Sequence, residues 1–431
     1  MRQIIPTVLL AIVTTVNGQI NNDTLTRKVD EYFTALTNLE NFNGNVKVSK
    51  NGHIILDKVY NLNSHFDSLN VTKDSKFIMA SVSKVYIKFA ILKLVELKKI
   101  KLTDNLSQFI TDFPDGDRIT IEQLIYHKSG LPRELTNYKN YESLPLNKII
   151  ELAKSEKLQF EPGAQTLYSN VGYFLLHYII DKSSKKGYND FIEREIFKKM
   201  NLKNTGEYNS ALQIHNFAYG FDREDGKIIP TSHSSINRFE TGNYFATMDD
   251  LYEFSNNILS GKALRKEIAI KMFGPDSLLV QAGGRSGYRA YFYKDLKTDV
   301  TFLFLANYTD IPFQDITEDV IRILEGKSYH VPQKVERRER QLTEEILKRY
   351  TGKFALEVDV KQIFTIVYED GKLVFIDGDD NRTGLISEDE FTFYDDPNSR
   401  ESYIFTLNEQ ANKYDLILLT EGVKLKTKRL E

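Results

Sequence analysis

Residues 77–99, FIMASVSKVYIKFAILKLVELKK, contain neither glycine nor proline and are dominated by apolar side chains. A segment of this length and composition, without the strict alternation of a strand, predicts a largely buried helix. We therefore expect residues 81–99 to form a helix at the centre of a domain. Ser81 and Lys84 lie in the first turn of this predicted helix.

Strand-like segments lie on both sides of this helix. Residues 43–61 alternate apolar and polar side chains around Asn51-Gly52, a pair that favours a tight hairpin turn. Three further apolar and aromatic runs, 278–281, 288–293 and 300–307, are separated by glycine-rich or charged turns. Residues 103–275 show mostly helical spacing with frequent turn signals. Strands at both ends of a helical middle predict an α+β layered domain with an antiparallel sheet.

The length of the chain predicts a second domain, because 431 residues exceed what one compact core normally holds. We assign residues 19–330 to the α+β domain and the charged residues 331–341 to a linker. A short helix ending near residue 350 is then followed by alternating segments near 364–368, 373–376, 391–394, 403–407 and 415–419. This pattern predicts a small all-β domain over residues 342–431.

The first 18 residues predict export. Arg2 precedes an apolar run from Ile4 to Val16, which at about a dozen residues is shorter than the roughly 20 of a membrane-spanning helix. With Gly18 at its end, this pattern is typical of a signal peptide over residues 1–18 and of a secreted or periplasmic protein. The alternative is an uncleaved leader that anchors the chain to a membrane. In both cases the body of the protein faces outward.

Composition excludes several classes of function. The chain has 57 Lys and Arg against 60 Asp and Glu, so no global basic field attracts nucleic acid. Cysteine is absent, which excludes disulfides, thiolate nucleophiles and cysteine-ligated metals. No pair of histidines has metal-ligand spacing, and Gly326-Lys327-Ser328 lacks the first glycine of a phosphate-binding loop. We therefore expect no metal, no cofactor and no nucleic-acid partner.

Ser81 and Lys84 are candidates for nucleophilic catalysis. Three residues apart at the start of a helix, they project from one face within a turn of each other. Burial of a lysine disfavours its charged ammonium form, so the uncharged amine can take the serine proton. Taken alone, the pair favours a structural interpretation, a helix-capping serine and a surface lysine. The same spacing recurs in residues 183–186, in a polar stretch that favours a solvated turn.

Two further segments carry candidate site residues. Tyr168-Ser169-Asn170 precedes an apolar helix, where a phenol can relay protons and an amide can bind both Lys84 and a substrate. Residues 281–284, Gln-Ala-Gly-Gly, end a candidate strand with two residues that allow close backbone approach. Each segment also has a purely structural interpretation, as a capping asparagine beside a half-buried tyrosine and as a glycine turn.

Taken together and in this order, the three segments resemble the serine β-lactamase and penicillin-binding-protein superfamily, in particular the class C β-lactamase-related serine hydrolases. The resemblance extends from about residue 30 to 325. It includes the segments 77–84, 127–132 (HKSGLP), 160–163 (FEPG), 242–251 (GNYFATMDDL) and 303–307 (LFLAN). It implies a β-lactamase-like αβα sandwich. The C-terminal segment resembles the small lipocalin-like domains that some of these hydrolases carry.

The resemblance also implies roles for individual residues. Ser81 becomes the acylated nucleophile, Lys84 its proton acceptor and Tyr168 the partner base, while Asn170 binds the substrate and the lysine. The amides of Ser81 and Gly284 become the oxyanion hole, a contribution of roughly 3–4 kcal/mol per donor. The predicted substrate-binding residues are Asn170, Gln281, Gly283, Gly284 and Arg285.

Gln281 departs from the family pattern, which commonly has Lys or His at this position. A neutral amide cannot offer the positive charge that binds a substrate carboxylate, so we expect Arg285 or Arg289 to compensate, or the substrate to be uncharged. The predicted function is an exported serine hydrolase that acts through an acyl-enzyme on an ester or amide, as an esterase, a D-Ala-type peptidase or a β-lactamase-like enzyme. Its substrate is a small molecule or a cell-wall peptide or ester. The alternative is a catalytically silent binding protein that keeps the cleft.

Overall fold

The computed structural model describes residues 21–430 except 65, 137, 139–143, 186, 209–212, 225, 232–242, 335, 359, 361, 379, 398–400, 410, 421 and 422. The leader expected over residues 1–18 therefore lies outside the described residues, as do Lys186 of the second Ser-x-x-Lys sequence and Gly242.

The N-terminal part contains α-helices of different lengths and several short 3-10 turns. The 3-10 turns are Asp67–Leu69, Ala80–Ser83, Leu106–Gln108 and Ile270–Met272, and a π-helical turn, Glu193–Phe197, joins α6 to α7. The helices are α1 (Asn22–Asn38), α2 (Lys84–Glu96), α3 (Ile121–Ile125), α4 (Leu146–Ala153), α5 (Asn170–Ser184), α6 (Tyr188–Ile192), α7 (Lys198–Met200), α8 (Met248–Asn257), α9 (Lys266–Ala269) and α10 (Phe313–Leu324). Within the described ranges, every helix falls short of the length or the hydropathy that a bilayer crossing requires.

The strands of this part form one large antiparallel sheet and two small ones. In chain order they are β1 (Gly44–Lys50), β2 (His53–Tyr60), β3 (Phe77–Ile78), β4 (Gly206–Glu207), β5 (Phe221–Glu224), β6 (Lys227–Pro230), β7 (Tyr244–Ala246), β8 (Leu278–Arg285), β9 (Tyr288–Asp295) and β10 (Val300–Ala306). The large sheet has the order β2-β1-β10-β9-β8, and the small sheets are β3-β7-β4 and β5-β6. Strand β8 is thus an edge strand of the large sheet.

Each face of the large sheet packs against helices, which gives three layers. On one face, Phe302 and Phe304 of β10 join a core with α1 and α10. On the other face, Leu303 and Leu305 join the core that surrounds α2, α5 and α8. Successive residues of a strand point to opposite faces, so β10 is buried along its whole length. The predicted α+β sandwich with an antiparallel sheet is confirmed.

The hairpin predicted around Asn51-Gly52 is present as β1 and β2. Both turn residues have positive φ, 51° and 73°, as a two-residue turn that follows the twist of the strands requires. Helix α1, in contrast, was not predicted. Its buried residues lie on one face, and its first turn is capped by the Asn21 side chain, which accepts a hydrogen bond from the Asp23 N–H at 3.1 Å.

The helix predicted over residues 81–99 is shorter than expected. Its first residues form the 3-10 turn, in which each N–H bonds three residues back, and the α-helix begins only at Lys84. It ends at Glu96 because Lys98 takes a left-handed conformation, with φ 56°. Every residue from Lys84 to Leu94 is buried, so this is a core helix surrounded on all sides.

The C-terminal part is a closed eight-stranded barrel preceded by a short helix, α11 (Glu344–Lys348). The strands are β11 (Gly352–Leu356), β12 (Ile363–Glu369), β13 (Lys372–Ile376), β14 (Arg382–Ser387), β15 (Thr392–Tyr394), β16 (Ser402–Asn408), β17 (Lys413–Thr420) and β18 (Val423–Arg429). Tyr350 lies in its core, with its ring 4.4 Å from that of Phe405, and donates a hydrogen bond to the Glu390 carbonyl at 2.6 Å. The predicted lipocalin-like all-β domain is confirmed.

Part of the segment predicted as a linker contacts the barrel. The Arg337 side chain is 5% exposed, forms an ion pair with Glu388, and donates hydrogen bonds to the Glu401 carbonyl (2.8 Å) and to Ser402 Oγ (2.9 Å). Its guanidinium also lies 5.0 Å from the ring centre of Tyr394. We name this set of contacts the Arg337 clamp.

Candidate active site

Ser81 projects from a strained turn between β3 and α2. Ala80, the residue before it, has φ 45°, a left-handed conformation that costs an ordinary residue about 1–3 kcal/mol. Strand β7 holds the turn in place, because Met79 N–H donates to the Tyr244 carbonyl at 2.9 Å and Tyr244 N–H donates to Ser83 Oγ at 3.2 Å. The hydroxyl of Ser81 is thereby fixed at the boundary between the sheet and the helical layer.

Two side chains converge on the Ser81 hydroxyl. Lys84 Nζ lies 3.1 Å from Ser81 Oγ, and the Tyr168 hydroxyl lies 2.7 Å from the same oxygen. Lys84 is only 1% exposed, and its Nζ lies 5.1 Å and 5.5 Å from the ring centres of Tyr168 and Tyr173. This geometry lets an uncharged amine or a phenolate take the serine proton as the oxygen attacks.

The protonation of Tyr168 favours the lysine for that task. Burial raises the pKa of Tyr168 to about 12, although the hydrogen bond to Ser81 and the nearby Arg133 lower it in part. The phenol therefore keeps its proton at neutral pH. A protonated phenol beside Ser81 can pass its proton to a leaving group once the serine oxygen has reacted.

The ring of His127 packs against the ring of Tyr168. Its backbone is left-handed, with φ 56°, and its ring lies 4.6 Å from the Tyr168 ring and 5.0 Å from the Tyr173 ring. Ser169 N–H donates to His127 Nδ1 at 3.1 Å, which places the ring proton on Nε2. Burial and the nearby Lys84 and Lys88 lower the pKa of His127 to about 3, so this ring is neutral and positions Tyr168.

Asn170 begins α5 beside the same tyrosine. Its side-chain nitrogen donates to Glu134 Oε1 at 2.6 Å, and its backbone N–H donates to the Arg133 carbonyl at 2.9 Å. Ser169 caps the helix, since its hydroxyl accepts from Gly172 N–H at 3.0 Å and donates to the Pro132 carbonyl at 2.7 Å. These bonds attach the start of α5 to residues 132–134.

Arg133 and Glu134 were not identified from the sequence. The guanidinium of Arg133 lies 5.3 Å from the ring centre of Tyr168, while Glu134 holds the amide of Asn170. Both follow directly on the HKSGLP segment at 127–132, and that position was the available signal. They place one cation and one anion at the rim of the candidate site.

The third candidate segment, residues 281–284, lies at the end of β8 as expected, and the strand runs one residue further, to Arg285. A Cβ atom at Gly283 would lie 2.4 Å from the Met79 carbonyl oxygen and 3.2 Å from Ser81 N, so only glycine allows this contact. A Cβ at Gly284 would point the other way and meet only the Arg289 side chain, at 3.6 Å. The edge strand therefore packs its backbone directly on the turn that carries Ser81.

Strand alternation separates the two candidate arginines. Gly283 pairs with Ala290 and Arg285 with Tyr288, and all four lie on the face toward Ser81. Arg289 pairs with Gly284 on the opposite face, where its guanidinium donates to the Arg285 and Tyr288 carbonyls at 3.0 Å each. Arg285, and not Arg289, therefore shares the face of the nucleophile.

Gln281 lies on the same face as Gly283, two residues earlier in β8. Its side-chain nitrogen donates to the carbonyl of the adjacent Ala282 at 2.9 Å. The structure thus brings Ser81, Lys84, Tyr168 and Gly283 into direct proximity, and Gln281, Gly284 and Arg285 lie along the strand beside them. In the described part of the chain, no group of three or more His, Asp or Glu side chains is placed to hold a metal ion.

The chain is similar to known proteins in sequence and in fold. Residues 37–278 match the family described as Beta-lactamase. Penicillin-binding protein 4* of Bacillus subtilis (strain 168) is 25% identical over 373 residues, which cover 75% of this chain and 82% of that protein.

Solved structures share the fold at lower sequence identity. D-amino acid amidase from Ochrobactrum anthropi SV3, complexed with L-phenylalanine amide, has a TM-score of 0.59 at 19% identity and covers 71% of this chain and 99% of its own. The octameric penicillin-binding protein homologue from Pyrococcus abyssi has a TM-score of 0.61 at 17% identity. The structural similarity covers 93% of this chain and 99% of the Pyrococcus abyssi chain, so it includes the C-terminal part.

Proposed function

Because the chain belongs to the Beta-lactamase family, we propose that it is an exported serine hydrolase that cleaves an ester or amide through an acyl-enzyme on Ser81. The observation that carries the proposal is the convergence of two side chains on one hydroxyl, the buried Lys84 with its Nζ at 3.1 Å and Tyr168 with its hydroxyl at 2.7 Å. Groups placed at these distances can remove the serine proton and return it to a leaving group.

The proposed reaction has two steps. In the first, the Lys84 amine takes the Ser81 proton while Ser81 Oγ bonds to the substrate carbonyl carbon, and the leaving group departs with a proton supplied through Tyr168 and Lys84. In the second, a water molecule loses a proton to the same groups and its oxygen attacks the acyl carbon. The acid is released and Ser81 recovers its proton.

The close contact between β8 and the nucleophile turn supports an oxyanion hole. Gly283 lets the backbone of β8 lie against Ser81 N, and the amides of Ser81 and Gly284 then serve as the two donors. Donors fixed in this way stabilise the charge that develops on the carbonyl oxygen, at roughly 3–4 kcal/mol each.

We assign the substrate to acyl compounds, either small molecules or cell-wall peptides and esters. Relatives named as penicillin-binding proteins, a putative D-alanyl-D-alanine carboxypeptidase and a D-amino acid amidase support this class. Gln281 offers a hydrogen bond but no charge, so we assign recognition of a substrate carboxylate to Arg285. We place the protein outside the cytoplasm, secreted or periplasmic.

Covalent labelling tests the proposal. Wild-type protein incubated with a fluorophosphonate should gain one adduct, located on Ser81 by peptide mass spectrometry, and Ser81→Ala should gain none. Ser183→Ala, which removes the serine of the other Ser-x-x-Lys sequence, is the matched control and should react like wild type. Labelling that survives in Ser81→Ala, or wild-type protein that never reacts, would contradict the proposal.

A catalytically silent binding protein is the second candidate, and Gln281 favours it because the position lacks a charge. Such a protein would retain a fluorescent penicillin reversibly and would form no adduct on Ser81. The same mass-spectrometric measurement therefore separates the two candidates. A panel of short-chain esters, cephalosporins and D-amino-acid peptides then identifies the substrate class.

A further inference from the structure

Lys88 is a buried cation that the proposed reaction does not use. It lies on α2 one turn after Lys84 and is 8% exposed. Its Nζ donates to the Met272 carbonyl at 3.0 Å and lies 4.2 Å from the ring centre of Tyr126. Within the described residues, no carboxylate lies within ion-pair distance of it.

Burying an ammonium group without a carboxylate is costly, and a carbonyl with one aromatic face compensates only in part. Burial lowers the pKa of Lys88 to about 8, so the group remains mostly charged at neutral pH. Other buried lysines of the chain are balanced differently. Lys93, further along α2, forms an ion pair with Glu96, and Lys47 forms ion pairs with Asp57 and Asp249. A purely structural lysine would be expected to have such a partner.

The charge of Lys88 lies close to the candidate site. Residues four apart on a helix are neighbours on one face, which places Lys88 next to Lys84. In their protonated forms, Lys84 and Lys88 both lower the pKa of His127, so both amino groups lie within electrostatic range of this one ring. Tyr126, which contacts Lys88, immediately precedes His127, which supports Tyr168.

We propose that Lys88 is a positioning residue of this site, whose buried charge destabilises the ammonium form of Lys84 and so keeps the Lys84 amine free to take the Ser81 proton. This inference rests on the proposed function, because it assigns Lys84 the role of proton acceptor.

Between pH 5 and 8, Lys88 is the buried charged neighbour of Lys84. Arg133 and Glu134, at the rim of the site, have side chains that are 65% and 43% exposed and lie 3.8 Å apart, so their opposite charges are screened and largely cancel. The titratable side chains that face the two lysines are Tyr126, His127, Tyr168, Tyr173 and His177. Burial lowers the pKa of both histidines to about 3 and raises the pKa of the three tyrosines. All five are therefore uncharged in this range.

The size of the effect follows from the helix geometry. Side chains four residues apart on a helix have Cβ atoms about 5–6 Å apart. Two unit charges about 6–10 Å apart, at an effective dielectric constant of about 20, change the pKa of one of them by about one to two. Removing the Lys88 charge should therefore raise the pKa of Lys84. The acid limb of nucleophile activation would move to higher pH by the same amount.

Lys88→Met and Lys88→Gln remove the charge, and Lys88→Arg keeps it. The pKa of Lys84 is measured directly by NMR on protein with ¹³Cε-labelled lysine, its signal assigned with Lys84→Arg. The rate of fluorophosphonate labelling is measured over the same pH series. Circular dichroism and melting temperature show which variants fold, and the two neutral variants differ in polarity in case one of them does not.

In the neutral variants, we expect the Lys84 titration to rise by about one pH unit or more, and labelling below that pH to slow about tenfold. Lys88→Arg should behave like wild type. A Lys84 titration that moves by less than about 0.3 pH unit in a folded neutral variant would overturn the inference. Absence of any Ser81 adduct in wild type would instead contradict the proposed function, and the NMR titration would still decide the role of Lys88.

Discussion

The contact of Gly283 with the nucleophile turn makes Gly283→Ala the most direct test of the site geometry. The added Cβ would lie 2.4 Å from the Met79 carbonyl oxygen, 3.0 Å from Val82 N and 3.2 Å from Ser81 N. All three are backbone atoms, which cannot rotate away as a flexible side chain would. Strand β8 and the turn must therefore separate by about 1 Å to restore an ordinary van der Waals contact.

That separation should reduce activity far more than stability. A 1 Å misplacement of reacting groups costs about 10²-fold in rate, and loss of one oxyanion donor costs about 10²- to 10³-fold. Overpacking of this kind costs about 1–3 kcal/mol of folding free energy. We therefore expect Gly283→Ala to remain folded. Its labelling by a fluorophosphonate should be about 100-fold slower than that of wild type, or slower still.

Gly284→Ala is the matched control, because its Cβ would meet only the flexible Arg289 side chain at 3.6 Å. It should label at close to the wild-type rate. The assay follows the initial rate of labelling and the melting temperature of all three proteins. Gly283→Ala that labels within about threefold of wild type would refute the reasoning, because the backbone contact would then have no influence on the oxyanion donors.

Two further predictions follow from the arginines of β8 and from a buried histidine. Because Arg285 shares the nucleophile face and Arg289 does not, Arg285→Ala should lower turnover of acidic substrates relative to neutral ones, while Arg289→Ala should leave the ratio unchanged. An unchanged ratio in both variants would remove Arg285 from carboxylate recognition. Burial lowers the pKa of His177 to about 3 in the folded protein. As the pH falls below about 6.5, this histidine is therefore protonated in the unfolded chain but not in the folded one, which favours unfolding. Between pH 7 and 5 this should cost about 2 kcal/mol of folding free energy, which His177→Gln should largely recover in denaturant titrations at the two pH values. If wild type and His177→Gln lost the same folding free energy between pH 7 and 5, the prediction for His177 would be wrong.

The elements with strong local signals could be predicted from the sequence. Asn51-Gly52 identified the first hairpin because few other dipeptides accept two positive φ angles in succession. The apolar run after Phe77 identified the core helix, but not that it begins as a 3-10 turn, since that start depends on the Met79 and Ser83 bonds to a strand more than 150 residues later. Contacts between residues so far apart in the chain do not appear in the hydrophobic periodicity of the local sequence.

In the barrel, too, strands with a strong local signal were predicted and strands that depend on distant residues were not. The strands around Phe375 and Phe405 were predicted because they are runs of apolar and aromatic residues. Strands β11, β14 and β18 were not, since β14 contains Gly384 and β18 is rich in lysine. These strands are defined by closure of the barrel, which pairs β11 with β18 and depends on residues far apart in the chain.

The sequence predicted which residues form the candidate site, but it predicted little of their geometry. The order of Ser81, Lys84 and Tyr168 pointed to one cluster, and the structure brings the three side chains together. Their catalytic roles stay predictions until labelling is done. For Lys88 the sequence indicates only a place in a buried helix, because an isolated lysine in an apolar run gives no indication of what surrounds it.

The Arg337 clamp determines where the polypeptide can be divided for recombinant expression. A fragment that starts at residue 342 would contain all eight barrel strands, yet it would leave Glu388 without its guanidinium partner. A fragment that starts near residue 331 keeps the clamp and also Arg340, whose N–H donates to the Ser387 carbonyl at 2.8 Å. Residues 331–341 therefore belong with the β-barrel in any truncation series.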